Sequence, residues 1–177
     1  MTLPASLEKR LAIPAIVAPM FLVSGPDLVV SCCEAGLLGT FPALNQRTSQ
    51  GFGEWLDEIE ERLAPMPGAA PFGVNLITMH PQLMELIAVC AKHQVGHVVL
   101  AGGLPPKGSI EAIKEMGAKV VCFAPALTLA KKFIRSGVDA LVIEGMEAGG
   151  HIGPVATSVL AQMWQKQPPD DASVATT

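Results

Sequence analysis

Within the ten residues Glu144-Gly-Met-Glu-Ala-Gly-Gly-His-Ile-Gly153, the chain places two carboxylates, one imidazole and four glycines. The glycines at 145, 149, 150 and 153 let the backbone approach a ligand closely and take positive φ. His151 can donate or accept a proton near neutral pH, and Glu144 and Glu147 add negative charge beside it. The alternative is a glycine-rich turn carrying a surface histidine. Loop glycines cost folding entropy, so so many around one histidine favour a ligand loop.

Other residues of chemical interest are Pro19-Met20, Asn75, Gly102-Gly103 and Pro125. Met20 could pack on a flat ligand or serve as core. Asn75 could hydrogen-bond the polar edge of a ligand or cap the next turn. Gly102-Gly103 is too short for a phosphate loop and fits neither a dinucleotide nor a Walker A pattern. His80 reads as a helix-start residue, and His93 and His97 as solvated residues flanking a turn. Cys32, Cys33, Cys90 and Cys122 match no zinc spacing and read as buried, reduced thiols. No pair of ligand-type residues has a spacing that predicts a metal site.

Pro19-Met20, Asn75, Gly102-Gly103, Pro125 and the Glu144–Gly153 loop share one kind of position, at or just after the end of a short apolar run. The runs are Ala15–Ala18, Leu37–Phe41, Phe72–Leu76, His97–Leu100, Lys119–Phe123 and Asp139–Ile143. Helical spacing separates them, over Asp27–Ala35, Phe52–Leu63, Pro81–His93, Ser109–Met116, Ala126–Ser136 and Val155–Gln165. Strand-helix units with short connections predict a right-handed parallel α/β fold, whose ligands bind at the carboxyl edge of the sheet. Periodicity alone fits either a doubly wound sheet or a barrel.

Composition agrees. Half of the 177 residues are hydrophobic and 16% are charged, against about a quarter charged in an ordinary domain. No apolar run reaches the ~18 residues of a membrane span, so the excess belongs to strands covered on both faces. The net charge of -4 and the lack of a Lys/Arg cluster argue against nucleic acid. The N-terminus has no signal-peptide pattern, which predicts a cytoplasmic protein.

The chain resembles the nitronate monooxygenase (2-nitropropane dioxygenase) family of FMN-dependent TIM barrels, and the related FMN-dependent enoyl-[acyl-carrier-protein] reductases. The resemblance covers about residues 10 to 162. It rests on Ala18-Pro19-Met20, Glu34-Ala-Gly-Leu-Leu-Gly39, Phe72-Gly-Val-Asn75, Ser136-Gly-Val-Asp-Ala140 and Glu144-Gly-Met-Glu-Ala-Gly-Gly-His151. It implies that Ala18, Pro19 and Met20 lie against the flavin and that Asn75 bonds the isoalloxazine. Glu144, Gly149 and Gly150 would contact FMN, and His151 would act as the catalytic base or polar partner at a nitro substrate's carbon, with O2 as oxidant. Glu144, where many nitronate enzymes have Gln, is shared with the reductases; Pro154 and Phe21-Leu-Val-Ser-Gly25 resemble the monooxygenases more.

The same resemblance implies a (β/α)8 barrel with about six of its eight units present, in a domain over residues 1–162. The loops that commonly hold the phosphate would come later. Residues 163–177 read as a polar, disordered tail, and the switch after Gln162 reads as a truncated or frame-shifted product that binds FMN weakly. An inactive fragment, or one half of a split barrel, is the non-enzyme alternative. Exposed edges on the first and sixth strands predict association with further copies.

Overall fold

In a computed structural model, the chain forms an α/β fold described over residue 7 and residues 9–166. Six strands are present among the described residues: β1 (Ile16–Val17), β2 (Leu38–Pro42), β3 (Phe72–Ile77), β4 (His97–Ala101), β5 (Lys119–Ala124) and β6 (Ala140–Ile143). They alternate with helices α1 (Pro26–Glu34), α2 (Ser49–Leu63), α3 (Leu83–Lys92), α4 (Ser109–Glu115), α5 (Leu127–Arg135) and α6 (Thr157–Lys166).

All neighbouring strands pair in parallel, in the order β1-β2-β3-β4-β5-β6. A doubly wound sheet requires a reversal of strand order, and none occurs here. Monotonic order with right-handed crossovers keeps the helices on one face, as in a barrel wall. The chain is therefore a partial TIM barrel, with β1 and β6 at its two edges.

Each sheet face has its own apolar cluster. Phe41, Val74, Leu76, Val98, Leu100, Val120, Cys122 and Leu141 point outward into the main core with Val29, Phe52, Leu56, Ile59, Ile113 and Phe133 from the helices. Burial of each such large side chain contributes roughly 1.5–3 kcal/mol. Alternate residues Val99, Val121 and Ala140, with Phe123 and Val142, form a smaller cluster on the inner face. Strand register aligns Asn75, Val99, Val121 and Ala140 in one row across the sheet.

Most boundaries follow the sequence reading, and the differences have local causes. β1 is two residues long, shorter than expected. α2 begins three residues early because the Thr48 side chain accepts a hydrogen bond from Gly51 N–H at 3.0 Å, an N-cap outside the apolar pattern. A short 3-10 helix at Ala43–Asn45, unread in the sequence, follows β2. Helix α6 carries residues 163–166 of the expected polar tail; the rest of that tail lies outside the described residues. Among the described residues, no helix is long and apolar enough to cross a membrane.

The four cysteines are free and buried as expected. Burial pushes the Cys90 and Cys122 thiols up to about 12, which leaves them unreactive at neutral pH. His93 and His97 are not solvated. The His93 side chain is 5% exposed against α2, and His97 opens β4 fully buried. Between them Gln94 and Gly96 are exposed while Val95 is buried, so the turn itself meets solvent and only the two imidazoles turn inward.

Candidate functional site

Because every strand runs the same way, the segments after β1, β3, β4 and β6 all emerge on one edge. Ala18-Pro19-Met20 leaves β1, Thr78-Met79 leaves β3, Gly102-Gly103 leaves β4, and Glu144 opens the loop after β6. Ala18 and Met20 are exposed. Since β1 and β6 are the two sheet edges, Met20 and His151 stand at opposite ends of the arc, with Asn75 on β3 between them.

The loop after β1 is built by a residue that the sequence reading missed. Asn45 accepts a hydrogen bond from Leu22 N–H at 2.8 Å and donates to Met20 O at 3.2 Å and Ser24 O at 2.7 Å. Ser24 Oγ accepts from Met20 N–H at 2.9 Å. These bonds hold Leu22 at φ 60, a left-handed conformation that is strained for a branched side chain. They also leave Phe21, Leu22 and Val23 60–75% exposed. Asn45 lies on the 3-10 helix after β2, and its signal was an Asn at the start of a post-strand loop.

Asn75 is 4% exposed. Its Nδ2 donates to Val99 O on the neighbouring strand at 3.0 Å, so it does not cap the next turn. Two residues past Asn75's strand neighbour Leu76, the buried Thr78 Oγ1 has no hydrogen-bond partner among the described residues. A buried hydroxyl without a partner costs ~1–3 kcal/mol, and this one sits at the carboxyl edge, beside Gly102.

The loop after β6 closes on itself. Gly153 N–H donates to Gly145 O at 2.9 Å, and Met146 N–H to Val155 O at 2.9 Å. A Cβ on Gly153 would collide with the Glu144 carbonyl, and one on Gly145 with Thr157. A Cβ on Gly149 or Gly150 would meet nothing within 4 Å. Two of the glycines are therefore required by packing, and two border open space. Glu147 is also structural. Its Oε2 accepts from Thr157 N–H and Thr157 Oγ1, both at 2.9 Å, capping α6.

That leaves Glu144 and His151 as the chemically free pair. Burial pushes the Glu144 carboxyl above the ordinary carboxylate range, and the nearby His151 partly offsets this. His151 is exposed. The edge thus combines a proton-transfer group, a buried carboxamide, an unpartnered buried hydroxyl and exposed apolar side chains such as Met20, Met79 and Met146. A flat aromatic cofactor with a polar ring edge needs this mixture.

Residues 82–167 match a family model described as nitronate monooxygenase. The chain is 31% identical over 150 residues to a Mycobacterium tuberculosis (3aS,4S,5R,7aS)-5-hydroxy-7a-methyl-1-oxo-octahydro-1H-indene-4-carboxyl-CoA dehydrogenase, covering 83% of this chain and 39% of the relative. It is 25% identical to a nitronate monooxygenase of Pseudomonas aeruginosa, covering 79% of this chain and 49% of that protein. Among solved structures, FabK from Thermotoga maritima superposes with a TM-score of 0.82 at 30% identity, over 99% of this chain and 54% of FabK. The chain spans 39% to 54% of the length of these relatives.

Proposed function

We propose a function from one premise: this chain belongs to the nitronate monooxygenase family and is related to FabK. It carries the ring-facing part of an FMN-dependent oxidoreductase, and the substrate class is an alkyl nitronate oxidised with O2. The observation that carries this reading is the loop after β6, which lies in the matched region 82–167 and holds His151 exposed beside a partly buried Glu144.

Bound at the carboxyl edge, the isoalloxazine would supply the redox chemistry. The chain's own groups bind and orient. Ala18, Pro19 and Met20 offer an apolar surface at one end of the arc. The Asn75 carboxamide would offer hydrogen bonds from the inner wall, and the Thr78 hydroxyl from the carboxyl edge just after β3. Gly149 and Gly150 leave room for close backbone approach. His151 would act as the base at the carbon of a neutral nitroalkane, or as a polar partner to the nitro group of a nitronate already formed.

A second reading has a specific support. The relative at 31% identity acts, by its name, on a carboxyl-CoA thioester, and the loop after β1 exposes Phe21, Leu22 and Val23, which suit an apolar acyl group. In that reading the protein is a reductase or dehydrogenase of acyl thioesters, of the FMN-dependent enoyl reductase type. Anaerobic mixing of FMN-loaded protein with a nitronate, and separately with NAD(P)H, distinguishes the two. Bleaching by the nitronate, lost in His151→Ala with flavin retained, supports the first; bleaching by NAD(P)H alone supports the second.

A further inference from the structure

The outer helical layer carries a cluster that the carboxyl edge does not use. Asp57 and Glu60 lie three residues apart on α2 and so share one face of that helix. Helix α3 ends at Lys92, and its C-cap residue His93 packs onto the same face. His93 Nδ1 is 3.6 Å from Asp57 Oδ1 and 3.4 Å from Glu60 Oε1. One donor atom from each of the three residues lies within 4.8 Å of the others.

Two further observations point to a ligand. The His93 side chain is 5% exposed, yet its ring makes no hydrogen bond to the two carboxylates beside it. Glu60 Oε1 is buried with no hydrogen-bond partner among the described residues. Desolvating an imidazole and a carboxylate oxygen together, without a bond between them, leaves a cost uncompensated. The spacing itself has a simple account. Two donors each ~2.0–2.1 Å from one tetrahedral cation stand about 3.4 Å apart. A cavity of about 310 Å³, lined by Ser49, Glu54, Asp57, Lys92 and His93 among others, opens the Asp57 and His93 side of the cluster to solvent.

We propose that Asp57, Glu60 and His93 form a binding site for a divalent first-row transition metal, with Zn2+ the best match. One imidazole nitrogen and two carboxylate oxygens suit Zn2+, and water fills the fourth position. The two carboxylates neutralise the dication. The ion joins α2 to α3 across the outer layer, so its effect is on stability rather than on the chemistry of the strand-end loops.

The test is calorimetric titration of the purified chain with zinc chloride, with melting curves in parallel. One ion binds per chain and raises the melting temperature; magnesium chloride does neither, since Mg2+ prefers octahedral oxygen sites. His93→Gln removes binding. Because His93 is buried and that variant could misfold, Asp57→Asn and Glu60→Gln serve as the second arm. The Asp57 side chain is 71% exposed, so its amide leaves the fold intact while weakening zinc about tenfold or more, the scale of losing ligand support. Absence of saturable zinc binding to the wild-type chain overturns the proposal, as does undiminished binding in both carboxamide variants.

Discussion

Glu147 accepts two hydrogen bonds from Thr157, from its backbone N–H and its Oγ1, both at 2.9 Å. This pair ties the glycine loop after β6 to the first turn of α6 and so sets the frame in which His151 is presented. Those bonds hold the Glu147 carboxyl below the ordinary carboxylate range. A depressed native pKa stabilises the fold fully above the unfolded value, and the contribution is lost as pH falls through the native value. Glu147→Gln should raise amide exchange over residues 145–153 at neutral pH. Wild type should approach the variant's exchange only in acid, once intrinsic rates are corrected.

The glycines of the same loop separate into two kinds. Gly153→Ala places a Cβ against the Glu144 carbonyl, whereas Gly149→Ala points one into open space. Gly150 has φ 89, so an alanine there costs about 1 kcal/mol from conformation alone. Urea denaturation should rank the destabilisation as Gly153→Ala largest, Gly150→Ala intermediate and Gly149→Ala smallest. Equal effects at 149 and 153 would contradict the closed loop described here.

Asn45 organises the loop after β1 through three hydrogen bonds to Met20, Leu22 and Ser24. Asn45→Ala should destabilise the protein by roughly 1–3 kcal/mol and release Leu22 from its left-handed conformation. Denaturation reads the first effect, and increased protease cleavage between Met20 and Ser24 reads the second.

His97 gives a pH dependence remote from the site. Burial pushes its imidazole down to about 4, opposed by a hydrogen bond with the Phe72 backbone and reinforced by the nearby Arg10 and Lys119 charges, with Asp139 opposing. The unfolded chain takes up the proton near 6.5, so the stabilisation is complete above that pH. It declines as pH falls toward 4, by on the order of 3 kcal/mol. Chemical denaturation at pH 7 and pH 5 should show the loss, and His97→Asn should flatten that part of the profile.

The strands were legible because buried parallel strands are continuous apolar runs, and the helices because Phe52, Leu56 and Ile59 recur at helical spacing. Periodicity did not separate barrel from doubly wound sheet; the unbroken strand order did. At the site, the sequence marked the ring of glycines around His151 but not their division of labour. Gly153 meets Glu144 only through the loop's closure, which is a backbone event. Asn45 and Thr78 went unmarked, and His93 was read as solvated, for a related reason. Their roles depend on partners 21 or more residues away for Asn45, on a missing partner for Thr78, and on the packing of two helices for His93.

The central claim is that the carboxyl edge of this half-barrel takes a flavin ring. Quenching of FMN fluorescence by the purified chain tests it directly, with Asn75→Ala at the inner wall and Asp57→Asn in the outer layer compared with wild type. The account predicts saturable quenching by wild type, retained in Asp57→Asn and clearly weakened in Asn75→Ala with its fold preserved. No saturable quenching by the wild-type chain, or equal quenching by all three proteins, would contradict it.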